Sequence, residues 1–311
     1  MSELALTWAD LFCNGSLIDL DVKVWDGLVR LKAEDLGIPD TEEVKTALTF
    51  GHERLVPKGS LQEIRDKAYQ ARSEVDRFSI PFKLVPGSRY LPLSSRKELV
   101  EKLEVFKNQF LAAVNKFLED YETNSAKQQE VLLKALTDAS KNEAVAERAL
   151  ARLRGLYPTN QELHEKFDLL WRTYSIAAPQ DGTADGTEGN AIKEEIESMI
   201  DKLRERLTEK VKSILELVSR GGKITAKTYN SATKMCDRIM SLNMFGDAGL
   251  IAAVAAIREA VSAASNQEDG AGETLKNGLE HVEEELIRSR EEAIAKAAER
   301  LAGRAERRME A

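Results

Sequence analysis

Several stretches carry residue types from which chemistry could be built, and spacing tests each one. "GGK" at 221–223 has the end of a phosphate loop. Such a loop needs a further glycine, four spacer residues and a strand in front. Leu217 stands where that glycine belongs, and the preceding pattern is helical, so Gly221-Gly222 reads as a helix terminus. "DGTADGTEGN" at 181–190 has the acids and glycines of a calcium loop. Counting Asp181 as position one puts Gly186 correctly at six but Ile192 at twelve, where a bidentate carboxylate must ligate. His52, His164 and His281 are isolated, and neither HERL nor HEKF has a second histidine four residues on. No serine sits in a G-x-S-x-G turn, and Cys13 and Cys236 match no metal or hydrolase spacing. The sequence therefore supplies no catalytic, cofactor or metal constellation, and a non-enzyme is expected.

Contact chemistry remains. Residues 78–95, "FSIPFKLVPGSRYLPLSS", put Arg89 beside Tyr90 on an irregular segment, and Trp25 lies in a predicted hairpin upstream. An arginine next to an aromatic can engage a protein or a nucleic acid. The opposing reading keeps both at home, with Tyr90 packed on a sheet and Arg89 paired with Asp19 or Asp21. Lys223, Lys227 and Lys234 form a second candidate set, able to share one surface and meet phosphates.

Composition limits what these residues can serve. The 311 residues are 32% charged and only 6% aromatic, with a formal net charge of -8. That is the composition of long helices, and the overall charge is not that of a nucleic-acid footprint. The cysteines read as free thiols in a reducing compartment. The N-terminus "MSELALTWADLF" lacks the charged and apolar regions of a secretory signal. The most apolar run, "AGLIAAVAAI" at 248–257, is about half a membrane span. A soluble, cytoplasmic protein without membrane contact is expected.

Periodicity then places the elements. Residues 3–14 read as a short amphipathic helix. Ile18, Leu20, Val22 and Val24 alternate with polar neighbours, and Asp26-Gly27 is a hairpin dipeptide, which predicts a β-hairpin over 17–32. A helix follows from Leu61 to about Arg77 and stops before Pro81. Phe78–Leu93 should add edge strands to that hairpin, turned at Pro86-Gly87, with Phe82 and Leu84 facing inward. Further helices are predicted over about 95–123, 126–155 and 159–176, the last capped by Thr159, and then over 191–220, 224–243, 247–265 and 274–308. The alanine-rich 247–265 helix should let a partner helix approach closely. The resulting division is a small α+β lobe at 1–94, a helical bundle at 95–177, a linker at 178–190, a helical region at 191–265, a linker at 266–273 and a terminal helix at 274–311 with a fraying tail. The fold class is mainly α: long amphipathic helices in an elongated bundle or antiparallel coiled coil, with a small α+β N-terminal lobe.

"LIDLDVKVWDGLVRLKAEDLGI", "LTFGHERLVPKGSLQEIRDKAYQA", "FSIPFKLVPGSRYLPLSS" and "LEVFKNQFLAAVNKFLEDYE" occur in one order. Together they resemble a helical family of phages and bacteria that carries only a domain-of-unknown-function label. The likeness covers about 15–125, weakens through the next helices and leaves the C-terminal third without a counterpart. Members tend to be encoded near MoxR-type AAA+ ATPases and von Willebrand factor A-like proteins. The resemblance implies a non-enzymatic scaffold or adaptor working with such a pair, and it brings no catalytic residues. A nucleic-acid-binding subunit of a phage or defence complex is the alternative, and self-association is compatible with either.

Overall fold

The computed structural model describes residues 13–36, 41–42, 51–175, 187–220, 225–265 and 271–309. Among them the protein is mainly helical, with an antiparallel sheet region near the N-terminus. The strands are β1 (Gly15–Lys23), β2 (Leu28–Arg30), β3 (His52–Arg54), β4 (Ile80–Pro81), β5 (Arg89–Pro92) and β6 (Asp168–Tyr174). The α-helices are α1 (Gln62–Phe78), α2 (Leu93–Ser140), α3 (Glu143–Leu153), α4 (Asn160–His164), α5 (Thr187–Ser219), α6 (Ala226–Leu242), α7 (Ala248–Ser265) and α8 (Ala271–Met309). One sheet has the order β4-β5-β1-β6, and β2 and β3 make a second.

Strand pairing departs from the expected hairpin over 17–32. β1 pairs antiparallel with β5, from Gly15 opposite Pro92 to Ile18 opposite Arg89, while β2 pairs with β3. Asp26-Gly27 does turn the chain, and Gly27 has φ +75°. The turn is a corner, however. The Asp26 carboxylate accepts the Leu28 N–H at 2.9 Å, and the Gly27 carbonyl accepts the Leu55 N–H at 2.9 Å. These bonds send β2 toward β3 rather than back along β1.

The second hairpin forms as expected. Gly87 takes φ +84°, and the Phe82 N–H donates to the Ser88 carbonyl at 3.1 Å. Pro81 sits on the edge strand β4, where no ladder donor is missed. Phe82 is buried, but Leu84 is 44% exposed, because β4 ends at Pro81 and the alternation ends with it.

Two helical expectations also change. The break read at Tyr157-Pro158 stands, but the one near 124 does not. α2 runs unbroken to Ser140, and Lys141 interrupts it at φ +55°. Asn142 then caps α3, its side chain accepting the Val145 N–H at 3.3 Å. The helix expected over 159–176 is only α4. Thr159 does cap it with a capping box, but DLLWRTY continues as β6. The helix expected over 3–14 lies outside the described residues except for Cys13 and Asn14. Of the expected linkers, 178–186 and 266–270 also lie outside them. The last linker residues, 187–190 and 271–273, belong to α5 and α8.

The chain divides into two units, each assembled from separated segments. One gathers 1–19, 76–99 and 173–311; the other gathers 20–75 and 100–172. In the first, Ile196, Met199, Leu203, Leu207, Val211 and Ile214 of α5 form the predicted stripe, buried with apolar residues of α6, α7 and α8. α7 is apolar and long enough to cross a membrane by composition, yet Leu250, Val254, Ile257 and Val261 are buried in this core. The close approach expected of its alanines is present: a Cβ added at Gly278 of α8 would lie 2.5 Å from the Ala260 Cβ. In the second unit Ile64, Ala68, Ala71 and Val75 of α1 and Leu103, Phe110, Val114 and Phe117 of α2 are buried.

Candidate interaction site

The β4–β5 hairpin positions the first candidates. Alternation along β5 sends Tyr90 to one face and Arg89 to the other. Tyr90 is 1% exposed, its ring centroid 6.4 Å from that of Phe82. A Cβ at Gly15 would overlap the Tyr90 phenol, so the glycine makes room for the ring. Burial pushes the phenol pKa well above its usual range. Tyr90 thus lies inside the unit and offers no surface to a partner.

Arg89 is engaged on every nitrogen. Nε donates to the Ser79 Oγ at 2.8 Å, Nη2 to the Ser79 carbonyl at 3.4 Å, and Nη1 lies 3.1 Å from the Asp76 carboxylate. Its acid is therefore Asp76, not Asp19 or Asp21. Register explains the difference: Ile18 faces Arg89, and the Asp19 carboxylate instead accepts the Ser88 hydroxyl at 2.6 Å. Arg206 of α5 also donates to the Ser79 carbonyl, at 2.9 Å. Burial lowers the pKa of both guanidiniums. Asp76 opposes the shift, and Arg89 adds to it at Arg206. Arg238 of α6 stacks 3.4 Å from the Phe78 ring centroid and pairs with Glu98 at 3.1 Å. Arg89 of the adjoining hairpin, Arg206 of α5 and Arg238 of α6 thus fasten the chain at Phe78 and Ser79.

Trp25 belongs to the other unit. It is 7% exposed, with ring centroids 6.1 Å from Phe117 and 6.2 Å from Tyr121. Phe117 in turn meets Phe167 at 5.8 Å. Beside these rings the Tyr157 hydroxyl donates to Glu53 Oε1 at 3.3 Å. Among the described residues, Glu53 Oε2 and the Tyr121 hydroxyl are buried without hydrogen-bond partners. Burial pushes the Tyr121 phenol up to about 12, with Glu162 adding to it. Burial likewise raises the Glu53 carboxyl, Tyr157 opposing and Asp35 assisting. A carboxyl held toward its acid form thus stands beside phenols held protonated.

The lysine set is only partly placed. Lys227 and Lys234 are exposed on α6, seven residues and so about two turns apart. Lys223 lies outside the described residues. Among the described residues no group of three or more His, Cys, Asp or Glu could hold a metal. Cys236 is buried, which pushes its thiol up to about 11.

Sequence reading missed Asp76, Arg206 and Arg238 as partners of the hairpin, and Glu53 and Tyr157 as a buried pair. A charged residue on an amphipathic helix carries no local mark of where its head group goes. Glu53 carried none either: its burial between the exposed His52 and Arg54 shows only in the structure.

No curated protein and no solved structure matches the chain. A family match takes in residues 14–284, so it spans the 15–125 stretch of the resemblance and extends beyond it into the C-terminal third. The chain therefore belongs to the family described as a protein of unknown function, DUF3150.

Proposed function

We propose that this chain is a non-enzymatic scaffold or adaptor of a phage or bacterial assembly, acting in the cytoplasm with a MoxR-type AAA+ ATPase and a von Willebrand factor A-like protein. One observation carries the reading: large apolar side chains stand exposed on the long helices. Tyr69 on α1 is 72% exposed, and Val131 and Val105 on α2 are 62% and 53% exposed. Exposed apolar groups on rigid helices suit contact with a protein partner. Purification from the native host should bring down the ATPase, and Tyr69→Ser with Val131→Ser should weaken that recovery without lowering Tm. Recovery of the chain alone in nucleotide-free, ATP and ADP conditions would sink the proposal.

A nucleic-acid role is the second reading, favoured by the exposed Lys227 and Lys234 on α6. Its test is binding to single- and double-stranded DNA and RNA across a salt series. Phosphate contacts require affinity that falls steeply with salt. Absence of binding at low salt removes it.

A further inference from the structure

The four-stranded sheet has two unlike edges. β4 is two residues long and ends in Pro81, which blunts it against further pairing. β6 is seven residues long, contains no proline, and pairs on its outer side with no strand among the described residues. Its side chains divide cleanly. Leu169 is buried and Trp171 lies under the Lys107 ammonium, 5.6 Å from the ring centroid. Asp168, Leu170 and Arg172 take the opposite face, where Leu170 is 37% exposed and Arg172 is exposed. Asp168 and Arg172 have no ion-pair or hydrogen-bond partner among the described residues.

We propose that the 168–172 edge of β6 pairs antiparallel with the same edge of a second copy of this chain, about a two-fold axis at Leu170. The sequence of that face selects the occupant. It reads acid, apolar, cation, and reversing such a strand against itself sets Asp168 opposite Arg172 of the second copy, twice. Leu170 then faces Leu170, and Leu169 faces Trp171. Opposite charges directly across an antiparallel pair stabilise it, and like charges destabilise it. The contact is isologous and closes at two copies. Moving the axis one residue to Trp171 would set Leu170 against Arg172, so charge fixes the register. The inference does not depend on the adaptor reading.

Sedimentation of the full chain over a concentration series tests it. A dimer with micromolar dissociation is expected. Arg172→Asp sets acid against acid at both ends and should weaken the dimer about tenfold or more. The double variant Asp168→Arg/Arg172→Asp restores both pairs in the swapped sense and should restore the dimer. In a Cys13→Ser background, Leu170→Cys should crosslink two copies under mild oxidation, since facing Cα atoms fall within disulfide reach. Val131→Cys, exposed on α2, should not. Circular dichroism of each variant confirms that it is folded. A monomer at all concentrations up to about 1 mM would overturn the proposal. So would a dimer indifferent to Arg172→Asp, or a charge swap that fails to rescue.

Discussion

The two units handle buried polarity differently. In the unit containing α5–α8, buried charges find partners from remote segments. Glu195 is 4% exposed and accepts the Lys83 N–H at 2.6 Å. Asp247 is 8% exposed, accepts Arg204 Nη2 at 2.8 Å and caps α7 by accepting the Leu250 N–H at 2.8 Å. Arg89 and Arg206 share Ser79. One nitrogen, Arg204 Nε, is left over. In the unit containing Trp25, the interior rests on rings in tilted and edge-on contact, and among the described residues a carboxylate oxygen and a phenol go without hydrogen-bond partners. The first unit uses polar groups to fix which segment lies where. The second relies on ring packing, and its unsatisfied groups subtract from its stability.

Removing a ring should therefore produce the largest effect. Phe117 touches Trp25, Tyr121 and Phe167. Phe117→Ala should cost about 3–5 kcal/mol by chemical denaturation, the usual cost of a deleted core aromatic. A loss below about 1 kcal/mol would mean that the rings are not the framework of that unit.

In the other unit the informative measurement is a coupling. Arg89→Ala and Arg206→Ala should each cost about 1–3 kcal/mol, because each removes donors from a buried serine. The two guanidiniums repel one another and compete for one carbonyl, so each single loss is partly offset by relief at the other, and the double variant should cost more than the sum. Strict additivity would show that they act separately.

How much of this was legible follows the same division. The α5 stripe and the edge position of Pro81 could be read because local pattern and tertiary environment agree. β6 could not. Leu163, Phe167 and Leu170 sit at helical spacing, while Leu169, Trp171 and Thr173 sit at strand spacing, and only the presence of β1, about 150 residues upstream, decides between them. Asp26-Gly27 announced a turn but not which strand would follow it. Arg89 could be seen as a candidate, yet its partners are Asp76 on α1 and Ser79 just beyond it, and it shares Ser79 with Arg206 of α5. Partner choice across long sequence separations is a property of the assembled fold, which no local window contains.

The contrast also has a pH signature. Glu53 has a folded pKa raised above its unfolded one, chiefly by burial. Its contribution to stability is then whole below the unfolded carboxylate pKa and is lost as pH rises through the folded value. Glu53→Gln keeps the shape and cannot ionise. Relative to the native chain, the variant should gain stability between acidic and neutral pH. A difference that stays flat, or that falls as pH rises, would remove Glu53 as a titrating group.

The smallest effects separate two neighbouring phenols by sign. Tyr157 donates to Glu53 Oε1, whereas the Tyr121 hydroxyl is buried with no acceptor. Deleting a hydroxyl that makes a bond leaves its partner unsatisfied, so Tyr157→Phe should lose about 1 kcal/mol or more, with both Glu53 oxygens then unpaired. Deleting a hydroxyl that makes none removes only its desolvation cost. Tyr121→Phe should therefore be neutral or stabilising by up to about 1 kcal/mol, with the ring contacts to Trp25 and Phe117 retained. Paired denaturation curves at one pH decide the matter. If both substitutions destabilise equally, the Tyr121 hydroxyl has an acceptor in solution, and the difference between the two units narrows to the rings alone.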